Sequence, residues 1–504
     1  MENNYILAVY DFRSKQDYIY KTNKVKEIMG ASQLIAEAYG KAIENYNKNE
    51  KIIKTDTCGD FSLCEFEESK FSACILYEGG GNLLMLFKSC CEFIAFNNHF
   101  SWYLIENAPG VSPICGSAKY NKSLTVDEGE QKGKPSYDKN VGRVFTDLGE
   151  YKRFASPVAY ADVLPFTQID RNTSKPVTCK EPAIELSVSA ESHAKREKYS
   201  EIKDDYAKNL DDLVEKKGEE SLLALIYVDG NAMGQKVKDA TRDYSFETGV
   251  NKMRDFSREI NTAFVDKPLD AIKNSLGNLE GKDILAMRRI IGGGDEITIV
   301  CKARNALKVA DIYFKTLAKN PRKFSSCMGI AIFHSHAPFA DIYEIAEQCC
   351  ESGKNKIKEL EKEGDKNAVN YSYIDAYFCR GAITGEMKDL RGKQEGKTRT
   401  NMPYRIGGDF EQFKKLGSEL NKIKRTNVKA LHDAAFVSEA DFELELMRVN
   451  SNLEKEKRIM INEESKLKRD DIPVFCDAAA FFDLNWFPVD DTKEKEVKED
   501  ESNV

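Results

Sequence analysis

Long apolar runs are missing from this chain. No stretch is long enough to span a bilayer. The opening Met1-Glu2-Asn3-Asn4 has neither the basic n-region nor the apolar core of a signal peptide. Excess positive charge is missing too. The net charge is −8 and the sequence pI about 5.6, which excludes a broad nucleic-acid-coating surface and leaves only local basic patches. Metal-type cysteine spacing is absent. The thirteen cysteines are an odd number and scattered, and Cys179 has no Cys-x-x-Cys pair near it, so no zinc site is supported. Cys90-Cys91 and Cys349-Cys350 fall in apolar segments and read as reduced core thiols of a cytoplasmic protein. What is present is 504 residues, 41% hydrophobic and 31% charged, enough for two to four domains with ample core.

The most informative stretch is Arg289-Ile290-Ile291-Gly292-Gly293-Gly294-Asp295-Glu296-Ile297-Thr298-Ile299-Val300. An apolar run enters three glycines, two acids follow, and a β-branched run leaves. That predicts a β-hairpin whose tight turn carries Asp295 and Glu296. Gly293 and Gly294 let a bulky ligand approach the backbone. Paired acids at such a turn suit Mg²⁺, or Mn²⁺ in its place, bound by one or two carboxylates plus substrate phosphates.

A third acid lies upstream. Leu222 to Val228 is a continuous apolar run that ends at Asp229, and Gly230-Asn231-Ala232-Met233-Gly234 follows. A buried strand opening into such a loop can offer backbone N–H groups to phosphate. Strand–Asp, helix, then a Gly-Gly-Asp-Glu hairpin is the order of a palm-type nucleotidyl transferase or cyclase. Either motif alone is common in ordinary proteins; together and in order they favour function. Lys354 and Lys356 lie where a helix aims an amine at phosphates, or on a solvated helix face. His334 and His336 read as a strand end at a pocket rim.

The pattern occurs twice. Tyr5 to Tyr10 is an apolar run ending at Asp11, Val25 to Tyr39 has helical spacing, and Gly79-Gly80-Gly81 sits between apolar runs. Counting from the glycines, Asn82-Leu83 stands where the second copy has Asp295-Glu296, so the first copy reads as a structural partner. The fold expected is α+β: two tandem palm, ferredoxin-like domains with a C-terminal helical domain. The expected limits are 1–125 for a degenerate first palm, 126–220 for a connector, 221–380 for the catalytic palm, 381–490 for the helical domain and 491–504 for a disordered tail. Ser187 to Lys217 is charged and suits an exposed helix. Lys388 to Arg405 is a basic loop for RNA, a partner or neither.

These features resemble the large polymerase subunit of type III CRISPR effector complexes, the Cas-ten family. The resemblance rests on Asp11 with Lys26 to Ser32, Gly79 to Asn82, Tyr227 to Gly234, Gly293 to Glu296 and Gly329 to His334. It implies joining ATP into cyclic oligoadenylate messengers in antiviral defence. It gives Asp229 and Asp295 the metals, Glu296 an assisting role and Lys354 the triphosphate. It implies guide-RNA effector subunits and target RNA as partners, and no membrane. Glu296 departs from the family's Gly-Gly-Asp-Asp. The N-terminal His-Asp nuclease domain and the zinc cysteines have no match, so DNA cleavage is not implied. Two-metal transfer, with ions roughly 3.5–4 Å apart, is the mechanism expected. A diguanylate-cyclase-like enzyme using GTP and an inactive ribonucleoprotein scaffold are the rivals. ATP against GTP, the product's ring size, the activator and the oligomeric state are not legible.

Overall fold

Two mixed sheets with one strand order organise the chain. The computed structural model describes all residues except 1–3, 49, 51, 155–165, 182–185, 215–220, 281, 380–384, 393–399, 455–457, 459–470 and 488–504. The tail expected at 491–504 and the centre of the basic loop lie outside the described residues.

The first sheet comprises β1 (Ile6–Arg13), β2 (Ile53–Lys54), β3 (Ala73–Gly79), β4 (Asn82–Phe87) and β5 (Ser112–Lys119), in the order β2-β3-β4-β1-β5. Its helices are α1 (Lys15–Tyr20), α2 (Val25–Tyr46), α3 (Leu63–Glu68), α4 (Cys90–Asn107) and α5 (Tyr137–Phe154). A short ladder, β6 (Cys179–Glu181) with β7 (Leu186–Val188), and α6 (Ala190–Glu201) lead to the second sheet. That sheet comprises β8 (Leu222–Gly230), β9 (Met287–Gly293), β10 (Glu296–Lys302), β11 (Ser326–His334), β12 (Tyr373–Phe378) and β13 (Tyr404–Arg405), in the order β13-β12-β11-β8-β10-β9. It carries α7 (Met233–Thr241), α8 (Phe246–Asn261), α9 (Lys267–Leu276), α10 (Ala306–Leu317) and α11 (Phe339–Lys362). The last helices are α12 (Met387–Gly392), α13 (Asp409–Leu420), α14 (Arg425–Val437), α15 (Glu439–Ser451) and α16 (Asp471–Ala480).

Counted within each unit, the four main strands lie in the order 4-1-3-2, which is the ferredoxin-like palm. The copies agree in detail. Each hairpin has an extra residue at the same height, Leu76 in one and Ile290 in the other, three positions before the turn-closing glycine. Each strand-end acid is followed, three residues on, by a left-handed residue: Ser14 at φ 49 and Ala232 at φ 53. Each fourth strand has a glycine under its covering helix. A Cβ on Gly116 would lie 2.5 Å from the Val144 carbonyl, and one on Gly329 would lie 1.9 Å from the Ala346 carbonyl.

The palms interlock. Phe246, Val250 and Met253 of α8 are buried with the first sheet. Tyr18, Tyr20, Ile28 and Met29 of α1 and α2 are buried with the second. Each such side chain contributes roughly 1.5–3 kcal/mol when removed from water, so the two sheets stabilise one another. Both bulges face the other palm. Arg254 of α8 donates to the Leu76 carbonyl at 2.6 Å, and Ser32 of α2 donates to the Ile290 carbonyl at 3.0 Å.

Several expectations change. The segment read as a connector supplies α5, which packs on β5 as α11 packs on β11. The exposed helix expected after Ser187 is α6, and its Glu191 and Lys195 are buried in an ion pair at 2.7 Å. The C-terminal region is helical as expected, and its Phe410, Phe413 and Trp486 share one core with Ile299 and Ile330 of the second sheet. Cys349 and Cys350 are buried, whereas Cys90 and Cys91 are exposed on α4.

Candidate active site

The strand β8 runs through the middle of its sheet, buried from Leu223 to Val228, so its apolar sequence is dictated on both faces. It delivers Asp229 at its end. Pairing places Val228 opposite Ile297 of β10, which brings the β9–β10 turn alongside Asp229. A Cβ on Gly230 would lie 2.8 Å from Asp295 Oδ2, so only glycine admits that carboxylate. Asn231 is buried; its backbone N–H donates to the Ser325 carbonyl at 3.0 Å and its Nδ2 to the Tyr371 carbonyl at 2.8 Å. Its Oδ1 is buried without a partner. Ala232 then bends left-handed, and α7 starts at Met233 and Gly234 with no side-chain cap, leaving first-turn N–H groups for a ligand.

The hairpin turn is shifted by one residue from the sequence expectation. Gly79 pairs with Asn82, and Gly293 with Glu296, so the two-residue turns are Gly80-Gly81 and Gly294-Asp295. Asp295 therefore corresponds to Gly81, and Glu296 to Asn82. The cause is conformational: Gly80 and Gly81 both have positive φ, whereas in the second turn only Gly294 does.

The acids are crowded. Asp295 is pushed up to about 6, first by burial and then by the charge of Asp229, with which it shares a hydrogen bond; Lys354 pulls the other way. Glu296 is pushed up to about 7 by burial, then by Asp229, Asp295 and Glu347. Its Oε1 is buried without a partner, and after burial its charge is the next cause raising Tyr227. Lys354 of α11 pairs directly with Asp229, an attraction that outweighs burial and holds the amine above its usual range. Among the described residues no three His, Cys, Asp or Glu side chains converge as a metal cluster. Asp229 and Asp295 converge as a pair, which fits a hard divalent ion that takes its other ligands from phosphate and water.

The first palm is chemically closed. Asp11 is buried between Lys15 and Lys152, each at 2.6 Å. Lys152 stands fifteen residues into α5, as Lys354 does in α11. Lys15 occupies the position of Met233, so the first acid carries two ammonium partners where the second carries one. Sequence reading missed Lys15 and Lys152; the matching places of Gly116 and Gly329 beneath α5 and α11 are the signal that finds Lys152.

A cavity of about 640 Å³ opens beside the acid pair, between the palms. Tyr77, Val141 and Phe145 of the first palm and Met233 and Val237 of the second form its apolar wall; Gly294 and Asp295 lie at its edge. A mate of about 660 Å³ lies across the interface, walled by Tyr20, Tyr343, Glu344 and Glu347.

Residues 222–369 match the Cas10/Cmr2 second palm domain. The fold as a whole is similar to a crystal structure of a Csm1–Csm4 cassette in complex with cA3 (12% identity, 97% of this chain and 70% of that one, TM-score 0.58). It is also similar to Csm1 of T. onnurineus (11%, 97% and 70%, TM-score 0.57). A third similar structure is a Csm1–Csm4 cassette in complex with pppApApA (13%, 96% and 70%, TM-score 0.56). No curated protein matches the sequence. Residues 222–369 thus carry a Cas10/Cmr2-type second palm, set within a tandem-palm fold shared with Csm1.

Proposed function

We propose that this chain is a nucleotidyl transferase of type III CRISPR defence that joins ATP into cyclic oligoadenylate-type messengers. The observation that carries the reading is the Asp229–Asp295 pair beside an apolar-walled cavity of about 640 Å³, large enough for a nucleotide. Structures of similar fold hold cA3, cA4, AMPPNP and pppApA, which supports adenine nucleotides as the substrate class.

Asp229 and Asp295 would hold Mg²⁺ or Mn²⁺, and Glu296 adds negative charge behind them. Such an ion supplies neutralisation of the triphosphate and acidification of the attacking ribose hydroxyl. The chain does the rest. The cavity takes the base and excludes water. Backbone N–H groups of Ala232, Met233 and Gly234 receive phosphate oxygens. Lys354, once its carboxylate is engaged elsewhere, turns its ammonium to the triphosphate.

We assign the domains near the limits read from sequence, with α5 added to the first palm. A Csm4-like effector subunit is the proposed partner, because similar structures were solved as Csm1–Csm4 cassettes. The proposed location is the cytoplasm; no described helix is long and apolar enough to cross a membrane.

The test is incubation of the purified chain, alone and with the partner subunit and RNA, with labelled ATP or GTP and Mg²⁺. ATP-derived oligonucleotides that disappear in Asp295→Gly are expected. A wild type that makes no product under any of these conditions overturns the reading.

A further inference from the structure

We propose that Lys15, a first-palm residue, is a positioning residue for the acid pair of the second palm: it clamps the Gly80–Gly81 turn on which Gly294, and with it Asp295, is seated. The catalytic consequence rests on the nucleotidyl-transfer reading; the positioning does not.

The Lys15 ammonium lies 2.6 Å from Asp11 Oδ1 and donates to the Gly81 carbonyl at 3.0 Å. The Tyr39 hydroxyl donates to the same carbonyl at 3.1 Å. Gly80 and Gly81 stand at φ 58 and 75. Paired glycines reach that conformation easily and leave it as easily, so the turn needs external bonds to stay fixed. An ammonium held by a buried carboxylate gives a charge-assisted bond, stronger than a neutral one. The far side of the turn is the second palm: a Cβ on Gly294 would lie 3.3 Å from Gly80 Cα.

Among the described residues the second turn has no equivalent ammonium clamp of its own. The position of Lys15 is filled there by Met233, whose thioether donates nothing. An ammonium at that place would quench Asp229 as Lys15 quenches Asp11. The two copies divide the work: the first spends its acid on holding an ammonium and steadies both turns, and the second keeps its acid pair open to a ligand. A pair of palms with one closed and one open site then has a mechanical reason, beyond packing, to stay together.

The experiment uses the full chain as wild type, Lys15→Met, Lys15→Arg and Tyr39→Phe. Hydrogen exchange of residues 291–297 is compared with residues 224–228 in the middle of β8. Lys15→Met is expected to speed exchange at 291–297 by about tenfold and leave 224–228 unchanged, because only the seating of the turn is lost. Lys15→Arg restores most of the protection, and Tyr39→Phe gives a smaller increase. Product formation in Lys15→Met falls by about 10- to 100-fold while the affinity for AMPPNP stays within about twofold, as expected of lost alignment. Unchanged exchange at 291–297, or an equal rise at 224–228, overturns the proposal. If Lys15→Met does not fold, Tyr39→Phe decides: exchange at 291–297 that does not rise overturns it. A wild type without product whose turn still responds to Lys15 sinks the enzymatic reading and leaves the positioning intact.

Discussion

Gly294 rests against Gly80: a Cβ on the one would stand 3.3 Å from the Cα of the other, and both have positive φ. The Gly294–Asp295 turn, proposed as catalytic, and its copy in the first palm are therefore back to back. Gly294→Ala adds a left-handed alanine, costing about 1–2 kcal/mol, and pushes Asp295 away from Asp229. Gly293→Ala meets nothing within 4 Å and is the control. The expected outcome is a roughly tenfold or greater loss of product for Gly294→Ala with a lower melting temperature, and near-normal behaviour for Gly293→Ala. Equal behaviour of the two would show that the contact is idle.

Asp295→Gly copies Gly81 of the first palm. It removes one carboxylate of the pair and should lower product formation by at least about 10²-fold, with the far-ultraviolet dichroism unchanged. Lys354→Met, which frees Asp229 of its amine, should raise the KM for the triphosphate more than it lowers kcat. If Asp295→Gly kept full activity, the active half has been misassigned.

The cavity can be tested from its first-palm wall. Gly142 lies in α5, lines the cavity, and a Cβ there meets nothing within 4 Å. Gly142→Ala should stabilise the chain by about 0.5–1 kcal/mol through helix propensity. Gly142→Phe should fold as well but occupy space meant for the base. Calorimetry with AMPPNP should show weaker binding for Phe alone. Unaltered affinity would place the base elsewhere.

Acidity gives a fourth test. Asp295 lies at about 6 against an ordinary 3.8, and Glu296 at about 7 against 4.5, burial being the first cause in both. A carboxyl that holds its proton more tightly when folded costs stability once ionised. The folded state binds more protons, so this contribution becomes more unfavourable as pH rises from about 4 to about 7. Without divalent ions, Asp295→Asn should melt above wild type at pH 7.5, and the gap should close towards pH 4. Mg²⁺ should raise the wild type at pH 7.5 and the variant less. A gap independent of pH would remove the acid pair from consideration.

The sequence by itself determined the elements and their order. Apolar runs ending in Asp11 and Asp229, glycine triplets between β-branched runs and amphipathic spacing in α8 are local signals, and each reports a strand, turn or helix directly. The tandem palms followed from them, as did the choice of Asp229, Asp295 and Glu296 as candidate site residues. Only the tertiary structure decided the turn register, because a glycine triplet does not say which two residues turn; the ladder pairs of Gly79 with Asn82 and Gly293 with Glu296 do. Only the tertiary structure brought Lys152 to Asp11, since 141 positions separate it from its acid and no local pattern marks an ion pair across a sheet, whereas Lys15 lies just four residues beyond Asp11. The same holds for the exchange of α1, α2 and α8 between the sheets. Burial of one palm's helices on the other's strands is a property of the assembled core, where shape and desolvation choose partners that lie far apart in sequence.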